Sequence, residues 1–337
     1  MRAFIVTGPG TAAVIDVEPP AAATGQVVVD IDRVGLCGTD AEFFSGEMAY
    51  LHQGHAAYPM RLGHEWSGTV SAVGGGIDRA WLGRRVTGDT MLPCHRCARC
   101  LDGRGHLCDD RAEVGIRGGW PGALAARMAI PATALHALPD GVDVVAGAMV
   151  EPGANALRAV EAAGLAPGGR LLIVGAGTIG LLAALLALAD GAEVHVLGRS
   201  ERSLGFARGL GIHGAWRRET LPQVPFDAVI DASNASGSPA LALELVEPGR
   251  RVVYIGLSGS PSTIDTRTMA LKDVTAVGIL SGSPALARTI ERFASGSMDP
   301  RPLVAATVSL DEVADVLAGH RPATAGPGPK VQVDPRA

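Results

Sequence analysis

Residues 169–191 read GRLLIVGAGTIGLLAALLALADG, and the second half of the fold turns on this stretch. The run Leu171–Val174 is short, continuous and apolar, as expected of a strand covered on both faces. Thr178–Ala189 is long enough, and rich enough in Leu and Ala, for a helix. Between them Gly175, Gly177 and Gly180 spell G-x-G-x-x-G in the strand-to-helix setting that gives this motif its meaning. The first glycine permits a tight turn, the second lets backbone approach a pyrophosphate, and the third lets helix and strand pack closely. Thr178 and Ile179 open the helix, where free N–H groups and a partial positive charge favour an anion. A dinucleotide is the expected ligand; the competing reading, a glycine turn without a ligand, would not need the flanking strand and helix.

Downstream, AEVHVLG, SERSLGFARGLG, FDAVIDAS, SPALALELV, RRVVYIGL and VTAVGIL continue the strand and helix rhythm of a parallel sheet with crossover helices. This unit is expected to span 149–281. The end of its second strand selects the nucleotide, because an acidic residue about 20 positions on would bind the adenosine ribose and repel a 2′-phosphate. Gly198 stands there instead, followed by Arg199, Ser200 and Arg202. A guanidinium forks onto a phosphate, so NADP(H) is expected over NAD(H). The plainer reading of these residues is a solvated helix start.

Upstream, over 1–148, short alternating apolar runs (AFIV, QVVVDIDRVGL, SGTVSAVG, RRVTG) are separated by Gly and Pro, as in an irregular all-β unit. The tail, 282–337, offers a helix in SPALARTIERFASG, a strand in PLVAATVSL, a short helix in DEVADVLAG and a last strand in KVQVD. It is too short to stand alone and is expected to complete the first unit.

Four of the five cysteines crowd into LPCHRCARCLDGRGHLC, a lobe over 92–110 spaced C-x2-C-x2-C-x7-C. Cys94, Cys97, Cys100 and Cys108 would enclose one zinc in a tetrahedron of thiolates, a closed site that shapes a loop and admits no substrate. The fifth, Cys37, stands in VGLCGTD; His64 and Glu65 follow in RLGHEW, and Glu151 in AMVEPGANAL. Each alone has a bland reading as a core thiol, a satisfied histidine or a helix start. Together they form a mixed ligand set that can leave one position open.

The 337 residues carry a formal net charge of −5 without a basic block, which argues against a nucleic-acid groove or an anionic membrane surface. Small molecules are the expected partners. Lys272 and Lys330 are the chain's two lysines, which reads as coding bias toward arginine. MRAFIVTGPG breaks at Gly8 and Pro9 before a signal-peptide core forms, and no apolar run approaches ~18 uninterrupted residues, so a soluble cytoplasmic protein is expected.

GLCGTD, GHEWSGTVSAVGGGI with Gly68 and Gly74, the four-cysteine lobe, VEPGANAL and GAGTIG together resemble the zinc-dependent alcohol dehydrogenases of the medium-chain dehydrogenase/reductase superfamily. The similarity spans essentially the whole chain and is nearest to the sorbitol, threonine and glucose dehydrogenase-like members. It implies an α/β fold: a GroES-like β-barrel catalytic domain completed by the C-terminal segment, plus a Rossmann domain. It also implies two zinc ions per chain, one catalytic and one structural, and a homodimer or homotetramer. Simple alcohol dehydrogenases carry a second cysteine where this chain has Glu151, which shifts the expected substrate toward polyols, sugars, cyclitols or amino alcohols. Cys37 and His64 are the implied catalytic-zinc ligands, with Glu65 and Glu151 as further ligands, direct or through water.

By the same resemblance the open zinc polarises the substrate oxygen while the nicotinamide exchanges a hydride with the carbon. Thr39 would pass the alcohol proton toward solvent, with His52 or His55 continuing the relay or touching substrate. Phe43, Tyr50, Trp66 and Trp120 are candidate pocket aromatics. Two departures stand out: His95 replaces the usual Gly after the lobe's first cysteine, and Arg158 stands where many relatives have His. The competing functions are a zinc-free-type quinone or enoyl reductase on the same fold, and a non-catalytic dinucleotide-binding protein with structural zinc alone.

Overall fold

Leu171–Val174 falls within the strand Arg170–Val174, inside a six-stranded parallel sheet, in the computed structural model covering residues 1–337. The strands run, in spatial order, Gly214–Trp216, Glu193–Leu197, Arg170–Val174, Phe226–Asp231, Val246–Tyr254 and Thr275–Gly278. This is the doubly wound dinucleotide order, in which the sequence of strands reverses beside the first, so a crevice opens at the carboxyl ends of Arg170–Val174 and Phe226–Asp231. Leu171, Leu172 and Ile173 are all buried, which is why this strand shows no alternation. Gly175 has φ 113°, a backbone conformation closed to most side chains, and a Cβ at Gly180 would run into the carbonyl oxygen of Gly175.

The first unit is built on a second sheet of seven strands, with Gln26–Leu36 at its centre. One edge of that strand pairs with Glu65–Val73; the other pairs with Arg127–Pro131 along its first half and Lys330–Val333 along its second. The register of the C-terminal strand sets Val331 opposite Leu36, immediately before Cys37. Arg2–Gly8 and Thr11–Asp16 form a separate two-stranded sheet.

The tail divides between the two units, whereas the sequence reading returned all of 282–337 to the first. Leu286, Ile290, Phe293 and Leu303 join the core that contains Leu171 and Leu181. Val308, Leu310, Val313, Val331 and Val333 join the core that contains Val29 and Trp66. The reason is the helix Val150–Ala163, whose apolar side covers the parallel sheet and gives Leu286–Ala294 a surface to pack on. No helix is long and apolar enough to cross a membrane.

Candidate active site

Cys37 follows the central strand of the first sheet and caps the helix Gly38–Ser45. Its Sγ accepts the Thr39 N–H at 3.3 Å, and its own N–H donates to Asp40 Oδ2 at 3.0 Å. This places the sulfur, a soft donor suited to zinc, on the wall of the cleft. His64 is buried with Nε2 3.3 Å from Cys37 Sγ. On its far side Nδ1 has no hydrogen-bond partner and faces Asp40 Oδ1 at 3.7 Å, while the Gly63 N–H donates to the same oxygen. Burial opposes both charges, yet His64 and the Cys37 N–H hold Asp40 below the usual carboxylate range, and Cys37 and Asp40 raise His64 well above its ordinary value. A carboxylate behind the imidazole turns Nε2 toward a metal, the usual second-layer support for such a ligand.

Donor atoms of Cys37, His64 and Glu65 all lie within 4.8 Å of one another. A tetrahedral zinc would separate a thiolate from an imidazole nitrogen by about 3.6 Å, close to the 3.3 Å found, so the donor set fits such an ion in chemistry and spacing. Glu65 has a second partner. Lys330 Nζ donates to Glu65 Oε2 at 2.6 Å, to Oε1 at 2.9 Å and to the Leu36 carbonyl at 2.9 Å, and both side chains are buried. A Cβ at Gly35 would strike Glu65 Oε2, so glycine is required beside this pair. Glu151 stands apart from the compact donor group. It opens the helix Val150–Ala163, lines the same cleft and accepts from Asn155 Nδ2 at 2.9 Å; burial, against the pull of His64, raises its carboxyl to about 7. The two glutamates that sequence treats alike are thus different in space.

The four lobe cysteines converge away from the cleft. Their Sγ separations are 3.4 Å for Cys97–Cys100, 3.8 Å for Cys97–Cys108 and 3.9 Å for Cys94–Cys100. Four thiolates around one zinc stand about 3.8 Å apart, so this group also fits its ion. His95 meets the demand usually met by Gly with a left-handed φ of 58°. Arg96 and Arg99, between the lobe cysteines, are paired with Asp110 and Asp109.

A cleft of about 1020 Å³ runs from Cys37, Thr39, His64, Glu65 and Glu151 past Gly175, Gly177, Thr178 and Ile179 to Gly198, Arg199 and Ser200. Ser200 also caps the helix Glu201–Gly209, its Oγ accepting the Ser203 N–H at 3.2 Å. Arg202, two residues on, is exposed and does not line the cleft. Arg217, Arg218 and Glu219 do, entering from the end of the neighbouring strand Gly214–Trp216, a contribution that sequence reading missed. Arg218 is held by Glu244 at 2.6 Å, whereas Arg199 and Arg217 have no ion-pair partner in the chain.

His52 and His55 are not brought to the cleft; both are exposed, His52 lying 3.1 Å from the Gly46 carbonyl and His55 packing edge-on against Tyr50. Tyr50 itself lines the cleft, because residues two apart on the short helix Ala49–His52 face opposite ways. Of the other aromatics, Phe43 and Trp66 are fully buried and Trp120 borders a separate cavity. Arg158 donates to the Ser281 carbonyl and stays out of the cleft, tying its helix to the segment that leaves the parallel sheet. Asp40, Lys330 and Asn155 are further site neighbours not foreseen; Asp40 and Asn155 had a readable signal in their short spacing from Cys37 and Glu151.

Residues 23–140 match the alcohol dehydrogenase GroES-like domain, and residues 178–295 match the zinc-binding dehydrogenase domain. The chain is 31% identical over 275 residues to the L-threonine 3-dehydrogenase of Idiomarina loihiensis, covering 78% of this chain and 79% of that protein. Among solved structures it is similar to a Sinorhizobium meliloti protein described as a zinc-binding dehydrogenase and solved with NADP bound, with a TM-score of 0.89, 27% identity and 99% of each chain covered. It is also similar to galactitol-1-phosphate dehydrogenase of Escherichia coli, with a TM-score of 0.87, 26% identity, and 99% of this chain and 100% of that one covered. With both of its domains matched by these models and a relative above 30% identity over more than two thirds of its length, the chain belongs to the zinc-binding alcohol dehydrogenases.

Proposed function

We propose that this protein transfers a hydride between a secondary alcohol, of the polyol, sugar, cyclitol or amino-alcohol kind, and NADP+, and the reverse with the ketone and NADPH. The observation that carries this reading is the continuity of one cleft from the Cys37–His64–Glu65 corner to the glycine turn, which lets a substrate and a nicotinamide meet. Cys37 and His64, with Glu65 from the same donor group, would hold the catalytic zinc, and Cys94, Cys97, Cys100 and Cys108 the structural one. When bound, the catalytic ion supplies Lewis-acid polarisation of the substrate oxygen.

The chain's own residues do the rest. Asp40 holds His64 in orientation, and Lys330 fixes the Glu65 carboxylate. Glu151 stands at the cleft wall rather than within the compact donor group and takes the place of a water-mediated or transient partner. Thr39, half-buried and lining the cleft, is placed to move the alcohol proton through its hydroxyl toward solvent. Gly175, Gly177, Thr178, Ile179 and Gly180 receive the pyrophosphate, and Arg199, Ser200 and Arg217 the 2′-phosphate.

A Cβ at Gly198 would meet Leu204 at 2.9 Å and Ala176 at 3.3 Å, which leaves no easy place for the acid that prefers NAD. The five free thiols suit a cytoplasmic setting. Assembly into a homodimer or homotetramer is supported by exposed Leu271 and Leu280, which flank in sequence Thr275–Gly278, an edge strand of the parallel sheet. Metal analysis together with turnover on NADP+ and NAD+ tests the reading: two zincs per chain and NADP+ preferred supports it, and activity retained after Cys37→Ser with one zinc left refutes it.

A further inference from the structure

Part of the cleft wall is built by residues the reaction itself does not call for. Glu113 lies in the two-residue strand Ala112–Glu113, paired with Met91, and both residues line the cleft. The neighbouring Thr90 donates its hydroxyl to the His64 carbonyl at 3.4 Å, and its own carbonyl accepts the Val114 N–H at 2.9 Å, so Glu113 is registered on the backbone that holds the metal corner. It is 3% exposed. Its Oε1 receives Arg111 Nε at 2.8 Å and a long bond from the Tyr50 hydroxyl at 3.4 Å, while Oε2 receives no hydrogen bond from the chain. Arg111 is itself held by the Cys108 carbonyl at 3.0 Å, which anchors the group on the cysteine lobe.

The charges along the cleft are unevenly divided. Arg199, Arg217 and Arg218 with Glu219 lie at the nucleotide end; at the metal end Glu42, Glu65, Glu113 and Glu151 line the cleft against Lys330, whose three N–H donors are already used, and Arg111, behind Glu113, is held by Glu113, the Cys108 carbonyl and Tyr50. An anionic tail on a substrate would therefore find no unpaired cation there, whereas a donor would find the free carboxylate oxygen of a largely buried glutamate ready to accept.

We propose that Glu113, seated by Arg111 and Tyr50, selects substrates that carry a second hydrogen-bond donor, hydroxyl or ammonium, beyond the reacting carbinol, and disfavours those with a carboxylate or phosphate at that reach. This rests on the dehydrogenase reading above and names the substrate chemistry of the same site. A five-carbon series tests it on the zinc-loaded enzyme: 2-pentanol, 1,4-pentanediol, 5-amino-2-pentanol and 4-hydroxypentanoate. The diol and amino alcohol are expected to exceed 2-pentanol in kcat/KM by about 10-fold or more, the range of a hydrogen bond to a charged group, and the carboxylate to fall below 2-pentanol. Glu113→Gln is expected to shrink the amino-alcohol-to-pentanol ratio about 10-fold, chiefly through KM, and to narrow the rejection of 4-hydroxypentanoate.

A larger effect on the amino alcohol than on the diol assigns ammonium as the preferred donor, and equal effects assign hydroxyl; either outcome supports the selection by Glu113. Because Glu113→Gln leaves Arg111 unpaired, the charge-neutral double variant Arg111→Gln/Glu113→Gln and Tyr50→Phe are measured beside it. Ratios unchanged in all three variants, or a wild-type preference for 4-hydroxypentanoate, overturn the proposal while leaving the dehydrogenase reading intact. Failure to oxidise any member of the series, or xylitol, with either NADP+ or NAD+ overturns both.

Discussion

Lys330 reaches Glu65 across 265 positions of chain and places its ammonium 2.6 Å from Oε2, with both side chains out of solvent. The chain uses arginine almost everywhere, and one of its two lysines is spent here, where a compact head with three donors fits a carboxylate and a carbonyl. Removing one partner of a buried pair leaves an uncompensated charge at a cost of about 3–5 kcal/mol. Lys330→Met is therefore expected to lower the thermal midpoint sharply, and Glu65→Gln/Lys330→Met to recover much of that loss. A Lys330→Met protein as stable as the wild type would contradict the pairing.

Cys37→Ser and Cys100→Ser are expected to separate chemistry from architecture. The first should keep the fold and the lobe zinc while kcat falls by ~1000-fold, since polarising a carbonyl or alcohol oxygen accounts for several kcal/mol of barrier. The second should lose the lobe zinc and destabilise the protein or its assembly. Metal content and circular dichroism on each variant decide the matter; a stable, fully active Cys100→Ser enzyme without lobe zinc would show the lobe to be dispensable.

Asp40→Asn tests the support behind His64. Loss of the carboxylate 3.7 Å from Nδ1 is expected to weaken zinc affinity at the catalytic site by about 10- to 100-fold, leaving the lobe untouched. Competition with a chelator, followed by metal counting, reads this directly.

Arg199→Ala and Arg217→Ala should each raise KM for NADP+ by about 10-fold, the range of a charge-assisted bond to phosphate, with a much smaller change for NAD+. Arg202→Ala, outside the cleft, should change neither. Equal losses with both cofactors would place the arginines elsewhere than at a 2′-phosphate.

Asp231 supplies a stability prediction with a definite sign. It ends the strand Phe226–Asp231, is 1% exposed, and burial raises its carboxyl to about 6 against the help of the Ser233 N–H. A folded-state value above the unfolded one means that the folded protein holds the proton more tightly; this contribution is full below about pH 4 and is lost as pH rises through 6. Asp231→Asn keeps an acceptor for Ser233 and cannot ionise. It should nearly match the wild type near pH 4 and exceed it by about 2–3 kcal/mol at pH 7.5, read from denaturant midpoints at the two pH values.

Local patterns carried far into this protein. The glycine turn, the buried strand before it and the helix after it are set by adjacent residues, since φ above zero, close approach and helix propensity are properties of a short window. The cysteine lobe is legible for the same reason: three of its four thiols fall within seven positions. Cys37, His64 and Glu65 were legible only as a list of donor types, because a metal corner assembled from two strands has no spacing rule. That Glu65 belongs to the compact donor group and Glu151 does not, that Lys330 closes on Glu65, that Arg217 joins Arg199 while Arg202 leaves it, and that Tyr50 and Glu113 face the cleft while His52 and His55 face water were decided by tertiary structure alone. Each depends on sheet register and on which side of a short helix a residue falls, and in a strand a shift of one residue moves a side chain to the opposite face.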